Sequence, residues 1–423
     1  TAKEIICMKR KRRSTGKIKY GFVPVFVVAV LFAVGFKTIN SEKVVEAIKN
    51  APAKCNTERV IGTFVNDAEL TFTGDLMVHS YQYEEAYNPQ TGEYDFMHNF
   101  TDMKKYFDKS DFVIGNFETV TAGEDVGISD YPMFNTPDSF VDAVKYAGFD
   151  LVTTANNHCM DKGMKGALRT IQVLDEKGID HIGTYASEEM RSNIYMKNVN
   201  GINIAFLSYT YGTNGIPVPE SWLVNILDEQ LVKSDISRAK ELNPDIIVVL
   251  PHMGNEYEEY VRDTFKNWAH MMLDAGADIV VASHPHILQP MEMVDITDDD
   301  GSQRKGFVMY SMGNFISSQT TPPRNASILL NIELEKKNNK TEITEVSYIP
   351  IWTQFRVADN SRNYFVVRSV YEMLTLPEDE LNKTVRQKDI LRLKDIHHET
   401  AQTLLNRDIP LEEIQNEYIF YQR

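Results

Sequence analysis

Five apolar segments of this chain each end in a side chain that can bind a metal ion. Their length and β-branched composition are typical of buried strands. In an α/β sheet the carboxyl ends of parallel strands meet at one edge, where such folds place their functional sites. We therefore expect these strand-end side chains to gather in one place. The segments are AELTFTGD ending at Asp75, SDFVIGNFE at Glu118, FDLVTTANNH at Asn157 and His158, PDIIVVLPH at His252, and ADIVVASHPH at His284 and His286.

Strand-like and helix-like segments alternate over residues 68–317, which predicts an α/β fold with helices packed on the sheet faces. The helical segments include PDSFVDAVKYAGF, MKGALRTIQVLDEKG and FKNWAHMMLDAG. Further along, ASILLNIELEK and KTEITEVSYIPIWT alternate apolar with polar residues around the turn sequence KNNK. We expect residues 318–368 to extend the same body as β structure. The polar residues 369–423 should form a helical tail packed on it.

The beginning of the chain has the pattern of a membrane anchor. Residues 1–19 carry eight lysines and arginines against one acid, and residues 20–36 contain no charge. A run of this length is at the lower limit for one transmembrane span. Because no clean cleavage pattern follows, we favour an uncleaved signal anchor over a signal peptide. The positive flank predicts a cytoplasmic N-terminus, a linker over residues 37–67, and a single-pass cell-membrane protein whose body is extracytoplasmic.

The overall charge and the cysteines exclude several classes of function. The formal net charge is -16 despite the basic N-terminus, and such an acidic body argues against nucleic-acid binding. Cys7, Cys55 and Cys159 are few and far apart, so no disulfide framework or thiolate zinc site follows. Cys159, beside the NNH segment, is interpreted as a small buried residue rather than a nucleophile.

The donor types at the strand ends favour a borderline divalent cation, with Mn²⁺ or Zn²⁺ the best candidates. Six donors exceed what one tetrahedral ion needs, so one or two ions are possible, and Glu118 can bridge a pair. His158 adjoins a ligand and is a candidate proton donor. Two roles stay open: His79 is a further ligand or a packing residue, and Asp161 is a helix cap or a functional group. The predicted ligands are Asp75, Glu118, Asn157, His252, His284 and His286.

The strings TFTGDLM, DFVIGNFE, ANNHCMDKG, PHMGNEY, DAGADIVVASHPHILQ and YSMGNF resemble the bacterial capsule-synthesis CapA family, the poly-γ-glutamate capsule proteins. The basic N-terminus followed by an anchor is also similar to that family's layout. The family in turn is similar to the calcineurin-like metallophosphoesterases. This resemblance implies a double β-sandwich flanked by helices.

The resemblance also implies roles for the strand-end residues. Asp75 and His286 would hold one ion, and Glu118 would bridge to a second. Asn157, His252 and His284 would hold that second ion, with His158 as an acid outside the ligand set. The chain departs from the phosphoesterase pattern at Met77, where a histidine is usual, and at Glu118, where aspartate is usual.

Three functions remain open on the sequence. The first is a membrane-anchored, metal-dependent hydrolase-type protein that acts in capsule or poly-γ-glutamate biosynthesis or export. Its partners would be the cytoplasmic membrane, membrane subunits of a capsule polymer synthase and an anionic polymer. The second is an extracytoplasmic metallophosphoesterase unrelated to capsule. The third is a non-catalytic scaffold subunit of a membrane polymer synthase.

Overall fold

A computed structural model describes residues 65–298 and 300–423. The predicted basic N-terminus, the predicted anchor and nearly all of the predicted linker lie outside these residues. Within them, no helix combines the length and the apolar character that a membrane crossing requires. The strand-end residues all belong to one compact unit, residues 67–336 and 340–423.

The described part of the chain alternates between strands and helices, as the sequence predicts. Short 3-10 helices occur at Met97–Phe100, Glu124–Val126 and Leu411–Glu413. The strands are β1 Val65–Leu76, β2 Tyr87–Asn88, β3 Glu93–Tyr94, β4 Phe112–Phe117, β5 Leu151–Thr153, β6 Asp180–Ile182, β7 Tyr195–Val199, β8 Ile202–Thr210, β9 Ile246–His252, β10 Ile279–Val281, β11 Met291–Thr297, β12 Gln303–Met309, β13 Asn314–Ile316, β14 Ala326–Lys337, β15 Lys340–Arg356, β16 Asn363–Ser369 and β17 Tyr418–Gln422. The α-helices are α1 Ser80–Ala86, α2 Lys104–Phe107, α3 Ser139–Ala147, α4 Gly163–Lys177, α5 Glu188–Ser192, α6 Glu229–Glu241, α7 Asp263–Ala275, α8 Val370–Leu374, α9 Glu378–Thr384 and α10 Gln387–Leu405.

Two large sheets carry the fold. Sheet A has the order β16-β15-β14-β1-β4-β5-β6, with β13 beside β1 and β17 beside β15. Sheet B has the order β11-β12-β10-β9-β8-β7. In sheet A, the neighbouring strands β1, β4, β5 and β6 are parallel to one another. In sheet B, the neighbouring strands β8, β9, β10 and β12 are parallel to one another. Their carboxyl ends therefore meet at one edge of each sheet.

One hydrophobic core joins the two sheets. Leu70 and Phe72 of sheet A and Phe206 and Val248 of sheet B belong to the same buried cluster. Helices α3 and α4 cover the outer face of sheet A, and α6 and α7 cover that of sheet B. The predicted α/β fold is confirmed, in the form of a β-sandwich flanked by helices.

The C-terminal tail is helical only in part, which corrects the prediction of a helical tail over 369–423. Helices α8, α9 and α10 pack around the fully buried Trp352 of β15. The chain then returns to sheet A, where β17 pairs antiparallel with β15. The Tyr418 ring stacks on the Tyr348 ring with centroids 5.5 Å apart. A segment as short as YIFYQ shows no period that identifies a strand before its partner is known.

Two glycines let β1 and β13 come together beneath the strand ends. A Cβ atom at Gly74 would lie 1.9 Å from the carbonyl oxygen of Gly313, and Gly313 itself has a φ of +71°. The Asp75 amide donates to this same carbonyl at 3.0 Å. Only glycine permits such an approach, which places Asn314 of β13 beside Asp75 of β1.

Candidate metal centre

Sheet A supplies the oxygen donors of the site. Asp75 lies near the end of β1, Glu118 directly follows β4, and Asn157 lies four residues beyond β5. The side chains of Asp75 and Glu118 have no exposed surface, and Asn157 is 1% exposed. The parallel order of these strands brings the three residues to one edge, as the sequence predicts.

Sheet B supplies the nitrogen donors. His252 is the last residue of β9, and His284 and His286 follow β10 in a turn. All three imidazoles are buried. His284 has a φ of +106° and His286 a φ of +59°, a backbone conformation that residues other than glycine rarely adopt. Such strain persists where the surrounding structure enforces it, and it is concentrated at functional sites.

The two sets of donors meet around Glu118. Its Oε1 atom lies 3.5 Å from Nε2 of His252 and 3.7 Å from Nε2 of His286. Donor atoms of Asp75, Glu118 and His286 lie within 4.8 Å of one another, and so do those of Glu118, His252 and His284. Asn157 joins the second group, with its Oδ1 2.9 Å from His252 Nε2. The structure thus brings all six predicted ligands together in two groups that share one carboxylate.

Two buried polar atoms of this site lack a hydrogen-bond partner within the described chain: Oε1 of Glu118 and Nδ1 of His284. A buried acceptor without a partner destabilises a fold by about 1–3 kcal/mol. A cation between the two sheets would satisfy both atoms, since the carboxylate oxygen offers a lone pair and Nδ1 offers one in the tautomer that is protonated at Nε2. The donor chemistry therefore fits a divalent metal ion.

Burial sets the protonation of these groups. It raises the pKa of Glu118 well above its ordinary value, and the neighbouring Asp75 carboxylate raises it further. Burial, together with the other histidines, lowers the pKa of His252 well below its ordinary value and that of His284 to about 3. These two imidazoles are therefore neutral at pH 7, as a metal ligand must be. A bound cation would favour the charged form of Glu118.

Asparagines that the sequence analysis overlooked hold the ligands in place. The Nδ2 group of Asn116 donates to Asp75 Oδ1 at 2.8 Å and to Glu118 Oε2 at 3.2 Å. Nδ1 of His286 lies 3.0 Å from Oδ1 of Asn314 and 3.0 Å from Oδ2 of Asp75. Partners of this kind fix the orientation of ligating side chains. Their signal was the GN pair shared by VIGNFE and YSMGNF.

His158 lies next to the site but outside both ligand groups. Its Nδ1 is 2.8 Å from Oδ2 of Asp161, and both side chains are buried. Asp161 also accepts a hydrogen bond from the Phe134 amide at 2.7 Å. Helix α4 begins at Gly163 and has Lys162 as its N-cap residue, so Asp161 does not cap it. Of the two roles that the sequence left open for Asp161, the structure removes the helix cap and shows a pairing with His158.

Two other sequence candidates have packing roles. His79 belongs to no metal-type cluster of the described residues. Its Nδ1 lies 3.3 Å from Gln82 Oε1, and its ring packs edge-on against Phe134 at 5.1 Å. Burial raises the pKa of the Cys159 thiol to about 12, so this residue is no nucleophile at neutral pH.

The open side of the site carries a residue that the sequence analysis did not single out. The exposed Glu256 has a carboxylate oxygen within 4.8 Å of donor atoms of both His284 and His286. Two exposed tyrosines also border this side of the site: the Tyr211 ring is 4.6 Å from the His284 ring and the Tyr257 ring is 5.9 Å from the His286 ring. Glu256 comes from a loop without a strand pattern, so its position could not be inferred from periodicity.

The fold and the site define an α/β sandwich protein with a divalent-metal type of centre at the sheet edge. A sequence model described as bacterial capsule synthesis protein PGA_cap matches residues 69–319. The chain belongs to this family of capsule synthesis proteins. It is 29% identical to the capsule biosynthesis protein CapA of Bacillus anthracis over 349 aligned residues. The alignment covers 80% of each chain. It is 31% identical to the PGA biosynthesis protein CapA of Bacillus subtilis over 300 aligned residues. This alignment covers 69% of this chain and 75% of that protein.

Among solved structures, the chain is similar to the NAD nucleotidase of Haemophilus influenzae, with a TM-score of 0.41 and 13% identity. The similarity covers 80% of this chain and 57% of that one, so the chain spans less than two thirds of the nucleotidase.

Proposed function

We propose that this protein acts in the biosynthesis or export of a capsule polymer of the poly-γ-glutamate type. Membership of the capsule synthesis family and the names of the two CapA relatives support this role. The polymer is an anion, and membrane subunits of a polymer synthase are the expected partners. Eight basic side chains followed by an uncharged run support a membrane-anchored protein with an extracytoplasmic body.

The site would hold one or two divalent ions, with Mn²⁺ and Zn²⁺ as the best candidates. One observation carries this proposal: two ligand groups share the buried Glu118, whose Oε1 has no partner within the described chain. Asp75 and His286 would complete the first position, and Asn157, His252 and His284 the second. Bound ions would supply Lewis-acid polarisation of a scissile bond.

The chain's own residues would contribute proton transfer and positioning. His158, held through Nδ1 by Asp161, leaves Nε2 to donate a proton to a leaving oxygen. The Asp161 carboxylate fixes the orientation of this imidazole through its 2.8 Å contact with Nδ1. Asn116 and Asn314 keep the ligating carboxylate and imidazole aligned. This arrangement favours a metal-dependent hydrolase of the phosphoesterase type.

The test combines metal content with polymer yield in the protein's own host. We expect deletion of the gene to abolish capsule polymer, measured as glutamate released by acid hydrolysis, and the wild-type gene to restore it. His252→Ala should lose metal, measured by inductively coupled plasma mass spectrometry, and should fail to restore polymer. His270→Ala is the matched control, because His270 of α7 belongs to neither ligand group. Its partly exposed ring pairs instead with Glu292 of β11.

The outcomes separate the alternatives. Restoration of polymer by a metal-free His252→Ala protein would favour the scaffold subunit. Unchanged polymer after deletion, together with phosphoester cleavage by the purified protein, would favour a phosphoesterase unrelated to capsule. Protease added to intact cells tests the anchor: the body should be digested, and full protection would contradict the orientation.

A further inference from the structure

Arg324 lies beside the candidate metal centre. The guanidinium carbon of Arg324 is 3.5 Å from the centroid of the Tyr257 ring. Over the residues that the structure describes, this guanidinium forms no ion pair and no hydrogen bond. Arg262 provides a contrast, because its Nε and Nη2 atoms bond the Glu258 carboxylate at 2.8 and 2.5 Å. The donors of Arg324 are therefore available to a ligand.

The position of Tyr257 connects this arginine to the site. The Tyr257 amide donates to the carbonyl oxygen of Pro285 at 2.8 Å, between His284 and His286. The Tyr257 ring lies 5.9 Å from the His286 ring. The Arg324 guanidinium is thus one aromatic ring away from a predicted metal ligand.

The backbone of Arg324 is fixed by the same network that orients the ligands. Its carbonyl oxygen accepts a hydrogen bond from Asn314 Nδ2 at 3.1 Å, and the other end of that amide lies 3.0 Å from His286 Nδ1. Its amide donates to the Thr321 carbonyl at 2.9 Å, which closes a turn. A half-buried arginine on a fixed backbone, stacked on an aromatic ring, loses little freedom when it binds a ligand.

We infer that Arg324, stacked on Tyr257, binds an oxyanion group of the substrate that reaches this centre, an inference that rests on the proposed function. A stacked guanidinium keeps its edge free for two parallel hydrogen bonds to a phosphate or carboxylate. On the open side of the centre, the exposed Glu256 carboxylate lies within 4.8 Å of donor atoms of His284 and His286, and it repels an anion. The Arg324 guanidinium offsets this repulsion on one side of the opening.

The test is isothermal titration of the full-length, detergent-solubilised, Mn²⁺-loaded chain with two probes, inorganic phosphate and a γ-linked glutamate trimer. Arg324→Met should raise the Kd of the preferred probe about 10- to 100-fold, the loss expected for a charge-assisted pair. Arg324→Lys should give a smaller rise, because an ammonium group lacks the planar fork. Arg262→Met should bind as the wild type does. The preferred probe identifies the oxyanion as phosphate or carboxylate.

Equal affinities in wild type and Arg324→Met would overturn the inference, and so would a wild type that binds neither probe. Loss of metal from Arg324→Met would also overturn it, because the arginine would then support the metal centre rather than the substrate. Failure of the proposed function has a different signature. A wild-type chain that takes up no metal, yet binds a probe more tightly than Arg324→Met does, would remove the metal proposal and leave the oxyanion subsite standing.

Discussion

Substitution of His284 separates the contribution of a bound metal from the cost of holding this residue in its conformation. His284 has a φ of +106°, and its buried ring lies 4.6 Å from the Tyr211 ring and 4.8 Å from the His252 ring. Both His284→Ala and His284→Gly remove the imidazole. Only glycine removes the backbone strain as well, because alanine keeps a Cβ atom.

The magnitudes follow from mass action and from strain. A metal at 100 to 1,000 times its Kd stabilises the folded state by about 2.7 to 4.1 kcal/mol. For a body of roughly 360 residues, with an unfolding entropy of about 2.1 cal/mol/K per residue, this raises Tm by about 4 to 5 °C. Strained backbone conformations cost about 1–3 kcal/mol each. Metal-free His284→Gly should therefore be more stable than metal-free His284→Ala by about 1–2 kcal/mol.

Differential scanning calorimetry of the EDTA-treated chain, before and after addition of Mn²⁺ or Zn²⁺, measures both effects. The wild type should show the full rise in Tm, and both variants should show less than half of it. A full metal response in either variant would refute the assignment of His284 as a ligand. Equal stability of the two metal-free variants would refute the argument from strain.

Four further outcomes are expected. Glu118→Gln should raise the metal-free unfolding free energy at pH 7, since it replaces a carboxyl group whose ionisation burial opposes with a neutral amide, yet mass spectrometry should find at least one ion fewer. His158→Ala should lower any turnover by about 10²- to 10⁴-fold at unchanged metal content; equal losses on good and poor leaving groups would contradict an acid role. Because the pKa of His284 falls from 6.5 to about 3 on folding, the unfolded chain binds a proton below pH 6.5 that the folded chain does not. As the pH falls from 6.5 towards about 3, the metal-free unfolding free energy should therefore drop by about 1.4 kcal/mol per pH unit through this group. Urea titrations at several pH values should show that this free energy depends less steeply on pH in His284→Ala. Gly74→Ala would place a Cβ atom 1.9 Å from the Gly313 carbonyl oxygen, which should cost about 3 kcal/mol, measurable as a lower urea midpoint.

The gathering of the strand-end residues was predictable because parallel strands share an edge. Each predicted ligand follows a run whose apolar character marks it as a buried strand, and the rule about strand ends then places it. Their pairwise distances were not predictable, since these depend on how sheet A docks on sheet B. The sequence shows two kinds of donor but not the contact between them.

The overlooked residues lacked a periodic signal. Asn116 lies inside a strand, and the GN pair that it shares with Asn314 does not show that its side chain bonds two carboxylates. Glu256 and Arg324 are in loops whose positions depend on distant contacts. The strand β17 is defined by its pairing with β15, more than 60 residues earlier in the chain. Only long-range contacts, which a single sequence does not display, identify such elements.

The division of donors between the sheets makes metal affinity a measure of correct assembly. Of the six predicted ligands, those at the strand ends of sheet A offer only oxygen atoms, and those at the strand ends of sheet B offer only imidazoles. A chain in which one sheet has formed, or in which the two have docked one residue out of register, presents half a coordination shell. Ion binding would then be among the last events of folding, and ion release would be the first sign that sheets A and B separate during unfolding.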